Sequence, residues 1–200
     1  GATESDNWAL TGTFEAFKKT GKHIITTAIE HPAMLETCKA LEKKGAEITY
    51  LKVDSNGIIS LDELKNAVRD DTILISVMYA NNEIGSIQPI EETGKFARSQ
   101  GILFHTDAVQ AMGTIPVNVE KLNLDMLSLS AHKFHGPKGI GILYVRNGVR
   151  IGKLITGGHQ ERGYRAGTTN VSGIVGTAKA LEKVVANMQE NNKKMKELRD

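Results

Sequence analysis

Residues 72–106 read TILISVMYANNEIGSIQPIEETGKFARSQGILFHT and carry the signature of a β–α–β unit. Thr72 to Tyr79 is almost unbroken apolar sequence of strand length, which predicts a central strand buried on both faces, as in a parallel sheet covered by helices. Pro89 to Gln100 then reads as a helix and Ile102 to Thr106 as the next strand. The same alternation extends upstream. Lys22 to Thr27 reads as a strand, and from Pro32 the apolar positions Met34, Leu35, Cys38 and Leu41 recur at helical spacing, with Pro32 suited to the first helical position and Gly45 closing the element. Ala46 to Leu51 is a strand, Asp54-Ser55-Asn56-Gly57 is turn chemistry, and Ser60 with Glu63 forms a capping-box pattern that starts a short helix over Leu61 to Val68. Downstream, Asp125 to Ser130 and Ile140 to Val145 complete five or six strands of one sheet. The alternation predicts an α/β fold, a three-layer α/β/α sandwich around a mostly parallel sheet.

From Ser172 onward Ile174, Val175, Ala178, Leu181, Val185 and Met188 recur at three- and four-residue steps, an amphipathic helix whose last turns, Asn191 to Asp200, are almost wholly polar. This pattern divides the chain into a large domain over residues 1–175 and a connecting helix over residues 176–200. Gly1 has no Met, basic or apolar leader before it, and Asp200 falls inside a helical pattern, so both ends are expected to be cut. Of 200 residues, 40% are hydrophobic and 24% charged, which excludes disorder and fibrous repeats. The formal charge of +2 gives no bulk field to draw nucleic acid or an anionic membrane, and no apolar run approaches a membrane span. One cysteine, Cys38, excludes an intrachain disulfide, and the cytoplasm is the expected compartment. Cys38 sits on the apolar face between Leu35 and Leu41 and reads as a buried hydrophobe.

The polar residues that follow strands carry the chemistry, because ligands of open α/β sheets bind at the strand ends. His105-Thr106-Asp107 places a carboxylate directly after an apolar strand, and Ser130-Ala131-His132-Lys133 places a lysine among small and apolar residues after another. Taken singly, Asp107 has a helix N-cap as its alternative reading, and Lys133 reads more often as a solvated loop cation. Together they suggest an aldehyde cofactor held through an imine, since a desolvated lysine becomes nucleophilic and a carboxylate facing a pyridine nitrogen keeps that nitrogen protonated. Ser130 and His132 suit its phosphate, as do backbone N–H groups at Gly1-Ala2-Thr3, where a helix begins.

Seven segments in register extend this reading: Gly1-Ala2-Thr3-Glu4-Ser5-Asp6-Asn7, Glu30-His31-Pro32-Ala33, Asn81-Asn82-Glu83-Ile84-Gly85, His105-Thr106-Asp107-Ala108-Val109-Gln110, Ser130-Ala131-His132-Lys133, Gly136-Pro137-Lys138-Gly139 and Glu161-Arg162-Gly163-Tyr164-Arg165-Ala166-Gly167-Thr168. Along essentially the whole chain these resemble the pyridoxal 5'-phosphate enzymes of the aminotransferase class V group, specifically the cysteine desulfurases. The resemblance implies the large domain of the fold-type I pyridoxal-phosphate transferases. It implies that Lys133 forms the imine and moves protons at the substrate α-carbon, and that Asp107 pairs with the pyridinium nitrogen. His31 stacks on the ring and helps move protons, Asn82 and Gln110 bond the ring oxygen, and Ala2, Thr3, Ser130 and His132 hold the phosphate. Thr168 reaches the phosphate of a neighbouring subunit's cofactor, which implies a homodimer.

The activity so implied converts L-cysteine to L-alanine and passes sulfur to a protein cysteine as a persulfide, for iron–sulfur cluster or tRNA thiolation pathways through an acceptor or scaffold protein. In the resembled family the nucleophilic cysteine and the substrate-carboxylate arginine lie past the position of Asp200. The chain is therefore expected to be a large-domain fragment without the N-terminal segment and the C-terminal small domain, and inactive alone in sulfur transfer. A selenocysteine lyase or a class V aminotransferase uses Lys133 and Asp107 equally well, and a non-catalytic dimerisation module is the reading outside enzymes. A divalent-metal site at His132, His135, His105 and Asp107 is a further alternative, opposed by Gly136-Pro137, which disfavours a helix there, and no metal is expected.

Overall fold

The computed structural model describes residues 1–200. Six strands form one sheet: β1 (His23–Thr27), β2 (Glu47–Leu51), β3 (Thr72–Ser76), β4 (Leu103–Asp107), β5 (Met126–Ser130) and β6 (Gly141–Val145), in the order β2-β1-β3-β4-β5-β6. Every neighbouring pair is parallel except β5 with β6, which is antiparallel. The helices are α1 (Ala2–Phe17), α2 (Pro32–Glu42), α3 (Leu61–Ala67), α4 (Ile90–Ser99), α5 (Val171–Ala186) and α6 (Met188–Arg199).

Alternation along the strands sorts apolar side chains onto two faces. Ile24, Leu74 and Met126 face α1 and α2, where they pack with Leu10, Phe14, Met34, Cys38 and Leu41. Ile25, Ile75, Phe104, Leu127 and Leu129 face the other way and pack with Leu64, Ile90 and Ala97 of α3 and α4 and with Ala180, Leu181 and Val184 of α5. Three layers result, as the alternation predicts. The chain order reverses between β1 and β3, which makes the crevice beyond their ends the topological switch point of the sheet.

Local chemistry sets the helix starts. His31 Nδ1 accepts from the Ala33 N–H at 3.1 Å with Pro32 at the first helical position, Ser60 Oγ accepts from the Glu63 N–H at 3.3 Å, and Asn170 Oδ1 accepts from the Gly173 N–H at 3.0 Å. Most element ends fall within a residue or two of the sequence reading, and two elements differ further. The regular part of β3 ends at Ser76 rather than Tyr79, although the Val77 and Tyr79 N–H groups still donate to the His105 and Asp107 carbonyls at 3.2 and 2.9 Å. The tail is two helices, because Asn187 leaves helical geometry at φ −104°, ψ 9° and its Nδ2 donates to the Lys183 carbonyl at 2.8 Å. No residue of α6 is buried, and no helix is long and apolar enough to cross a membrane.

Candidate active site

The strand ends next to α1 gather the polar groups. Leu74, Leu103 and Met126 belong to the α1/α2 face, so Ser76, His105, Asp107, Ser128 and Ser130, spaced from them by even steps, share that face. Ser76 is registered with His105, and Asp107 with Ser128. Gly1 caps α1 at the end of this polar strip, and a Cβ built on Gly1 would lie 3.9 Å from Ser130 Oγ. Gly141, the first residue of β6, backs against the Gly1 backbone so closely that any Cβ would overlap it. That contact seats the helix end on the sheet.

Within α1 the Glu4 and Ser5 N–H groups donate to the Gly1 carbonyl at 3.0 and 3.4 Å, and the Ala2 and Thr3 N–H groups are left for an external acceptor. Together with the positive end of the helix dipole they favour an anion, and Ser130 Oγ, 2.9 Å from His132 Nδ1, adds polar groups beside them. This half of the site fits a phosphate.

Asp107 stands at the other half. It is 6% exposed, and its Oδ1 accepts from the Val109 N–H at 2.9 Å. Burial raises its pKa, opposed by the Val109 N–H and by the nearby His31 and Lys133 charges. The Lys133 cation and the Asp107 carboxylate are thus close enough to sense each other. Lys133 lies in a 3-10 turn over Ala131–Phe134 that puts Ala131 and Phe134 inward, so Lys133 and His132 are exposed. This corrects the expectation of a desolvated lysine: the three-residue repeat of the turn selects residues 131 and 134 for burial and leaves 132 and 133 in water.

His31 is exposed at the start of α2. Its Nδ1 is an acceptor there, so Nε2 carries the proton of the neutral ring. Asn82 is exposed in its loop, whereas the buried Asn81 forms the turn, accepting from the Glu83 and Ile84 N–H groups at 2.8 and 3.0 Å. Gln110 is half-buried in the turn after Asp107. Thr168 is exposed and lines, with Gly1 and Glu4, a cavity of about 620 Å³ between α1, β6 and α5 that does not include Lys133 or Asp107. Arg165 pins this loop to α1 through Glu4 at 2.8 Å, which holds the Glu4 carboxyl below its ordinary pKa. Just before it, Glu161, Arg162 and Gly163 all have positive φ, a strained run in the first two.

Sequence reasoning missed two buried acids. Asp6 on α1 is 1% exposed and is pushed up to about 8 by burial and by the Asp107 charge. Glu30 is 4% exposed and is pushed up to about 8 chiefly by burial. Both stand in quoted motifs, but no spacing signals their burial. Cys38 is fully buried, its thiol pushed up to about 12, as its apolar-face position foretold. His105 is engaged at both ring nitrogens, 2.8 Å from Ser76 Oγ and 2.9 Å from Ser128 Oγ, and no three His, Cys, Asp or Glu side chains converge as metal ligands.

An open α/β sheet with an anion-seating helix end, a buried strand-end carboxylate and a lysine after the next strand defines the large-domain fold of the fold-type I transferases. A solved structure described as a NifS-like protein superposes with a TM-score of 0.96 at 52% identity, over 99% of this chain and 55% of that one. A second, described as SspA in complex with cysteine, gives 0.86 at 46% identity over 91% and 53%. Within that class the chain belongs to the aminotransferase class-V family, whose profile matches residues 1–200. Cysteine desulfurase IscS of Methanosarcina thermophila is 60% identical over 200 residues, all of this chain and 50% of that protein. The chain spans about half the length of the curated relatives it matches.

Proposed function

We propose that this chain is the cofactor-binding part of a cysteine desulfurase, which takes L-cysteine to L-alanine and passes the sulfur to a protein thiolate as a persulfide. The observation that carries the reading is the convergence of the α1 N-terminus, Ser130 and His132 at one end of a site whose other end is Asp107, with Lys133 near it. The donor set fits pyridoxal 5'-phosphate: bare N–H groups and a hydroxyl for a dianion, a buried carboxylate for a ring nitrogen, and an amine for the carbonyl. When bound, that cofactor supplies the electron sink for bond breaking at the substrate α-carbon.

In this reading Lys133 holds the cofactor carbonyl and moves protons at the α-carbon, and His31 offers its Nε2–H over the site. Asn82 and Gln110 bond the ring oxygen, while Ala2, Thr3, Ser130 and His132 hold the phosphate. Thr168, exposed on the loop pinned by Arg165, serves a partner subunit's phosphate in a homodimer. Cys38 is not the sulfur-accepting thiolate, since burial removes both its access and its ionisation. That thiolate, and the acceptor or scaffold protein that takes the sulfur on, come from elsewhere. A cytoplasmic setting accords with this thiol chemistry. The names of the relatives and the cysteine-bound structure favour cysteine over other class V substrates.

The test is reduction with borohydride after adding pyridoxal phosphate, followed by mass spectrometry. A phosphopyridoxyl adduct on Lys133, absent from Lys133→Ala, is expected; an adduct on other lysines only refutes the assignment.

A further inference from the structure

The β1–β3 ladder ends at Ile25 and Ile75, and beyond it the two segments part. The Ala28 N–H turns to the Leu51 carbonyl on the β2 side at 2.9 Å, while the Val77 and Tyr79 N–H groups turn to the His105 and Asp107 carbonyls on the β4 side at 3.2 and 2.9 Å. No backbone hydrogen bond joins residues 28–31 to residues 77–88. These loops carry His31 and Asn82, so what holds those two residues in place relative to each other has to come from side chains.

Two side chains cross the gap in opposite directions. Glu30 reaches from the first loop: its Oε1 accepts from the Met78 N–H and from the Thr27 hydroxyl, each at 2.8 Å. Asn81 reaches back from the second: its Nδ2 donates to the Ile29 carbonyl at 2.9 Å. Each immediately precedes an assigned site residue, Glu30 before His31 and Asn81 before Asn82. Asn81 is buried and engaged at both ends of its amide, since Oδ1 accepts from the Glu83 and Ile84 N–H groups at 2.8 and 3.0 Å and shapes the turn that presents Asn82. Its backbone closes the same loop, donating to the Ser86 carbonyl at 2.9 Å and accepting from the Gly85 N–H at 3.2 Å. Such a turn needs only the acceptor of an asparagine. The Nδ2 bond, to a residue 52 positions away, serves something else.

We propose that Asn81 is a positioning residue for the cofactor ring: it ties the His31 loop to the Asn82 loop and so sets the spacing between the two ring contacts they carry. This rests on the reading of His31 and Asn82 as contacts to the ring and its oxygen. Contacts held in place beforehand lose less freedom when a ligand binds, and a fixed spacing between two contacts helps only while both are present. Glu30 does not replace the tie, because it anchors at Met78, upstream of the turn, whereas Asn81 is bonded to the turn itself.

The intact protein tests this with two variants that keep an acceptor for the turn and lose the donor to Ile29. Asn81→Asp retains the carbonyl-type oxygen, and Asn81→Ser supplies a hydroxyl without adding charge, so it carries the test if the charged variant does not fold. Without cofactor, hydrogen exchange at the Ile29 and Ala33 amides is expected to speed up roughly tenfold in both variants, while the Glu83 and Ile84 amides keep their protection. Pyridoxal-phosphate affinity, measured by fluorescence titration, is expected to fall roughly five- to tenfold, the worth of one hydrogen bond. In an Asn82→Ala or His31→Asn background, which already lacks one ring contact, the same substitutions are expected to cost about twofold or less. If Asn81 only made the turn, Asn81→Asp would bind the cofactor as the parent does. An affinity within about twofold of the parent in both variants overturns the proposal, as does unchanged exchange at Ile29 and Ala33 or a loss that persists at full size in both backgrounds. Failure of the cofactor to attach to Lys133 of the parent refutes the functional reading and the proposal with it; normal attachment with unchanged affinity in the variants overturns only the role of Asn81.

Discussion

Replacing Glu30 by Gln should make the protein more stable at neutral and alkaline pH and leave it nearly unchanged in acid. Glu30 Oε1 accepts from Thr27 and Met78, and a glutamine Oε1 keeps both bonds; the second position has no partner as a hydroxyl and none as an amide. The substitution therefore adds only a pH-independent offset, apart from ionisation. The folded-state pKa of Glu30 is raised, from 4.5 to about 8, so the unfolded chain releases the proton first as pH rises. Stability is full below about 4.5 and is lost progressively up to about 8, at about 1.4 kcal/mol per pH unit. By pH 7 this removes about 3 kcal/mol, and above pH 8 about 5 kcal/mol, from the parent and nothing from Glu30→Gln. For a chain of this size the gap at pH 7 is a melting-temperature difference of roughly 6 to 12 °C. Parallel thermal and urea melts from acid to mildly alkaline pH give the difference curve. A difference that stays flat with pH, or a variant that falls below the parent at pH 8, refutes the argument that Glu30 is neutral in the fold.

Three further substitutions probe the site and the sheet that carries it. Gly141→Ala drives a Cβ into the Gly1 backbone and should cost about 1–3 kcal/mol in melts while weakening pyridoxal-phosphate binding at least about tenfold, measured by fluorescence titration. His31→Asn preserves a cap for α2 and should melt within about 0.5 kcal/mol of the parent, whereas His31→Ala loses about 1 kcal/mol; equal loss of pyridoxal-phosphate affinity in both would assign the imidazole a role beyond capping. Arg146→Leu removes the guanidinium bonded to the 3%-exposed Asp125 at 2.8 Å, leaving Arg98 at 3.8 Å, and should cost about 2–4 kcal/mol, part of which Asp125→Asn restores.

The sheet was legible because its strands are short apolar runs separated by helical spacings. Residues 72–106 alone carry a parallel crossover, and the strand positions fell within a few residues of those observed. The tail was read as one helix because periodicity is blind to a single asparagine that prefers its own carbonyl contact over the helix. Asp107, Lys133 and the α1 N-terminus were legible from their places after strands and before a helix. The exposure of Lys133 was not, since whether a residue after a strand turns inward depends on whether the next turn repeats at three residues or at 3.6.

The buried acids were hidden for a related reason, and it bears on how the site works. Glu30 and His31 are adjacent, yet the first turns into the crevice to take the Met78 N–H and the second turns out to cap α2. The Glu30 bond spans the gap between the loops after β1 and β3, where the sheet order reverses and no strand ladder can supply a partner. A carboxyl there is best tolerated as a neutral acid, and burial accordingly pushes Glu30 up to about 8. His31 and Lys133 are exposed, whereas Asp6 and Glu30 are buried. The fold thus buries two acids, whose pKa values rise as a result, while His31 and Lys133 face water.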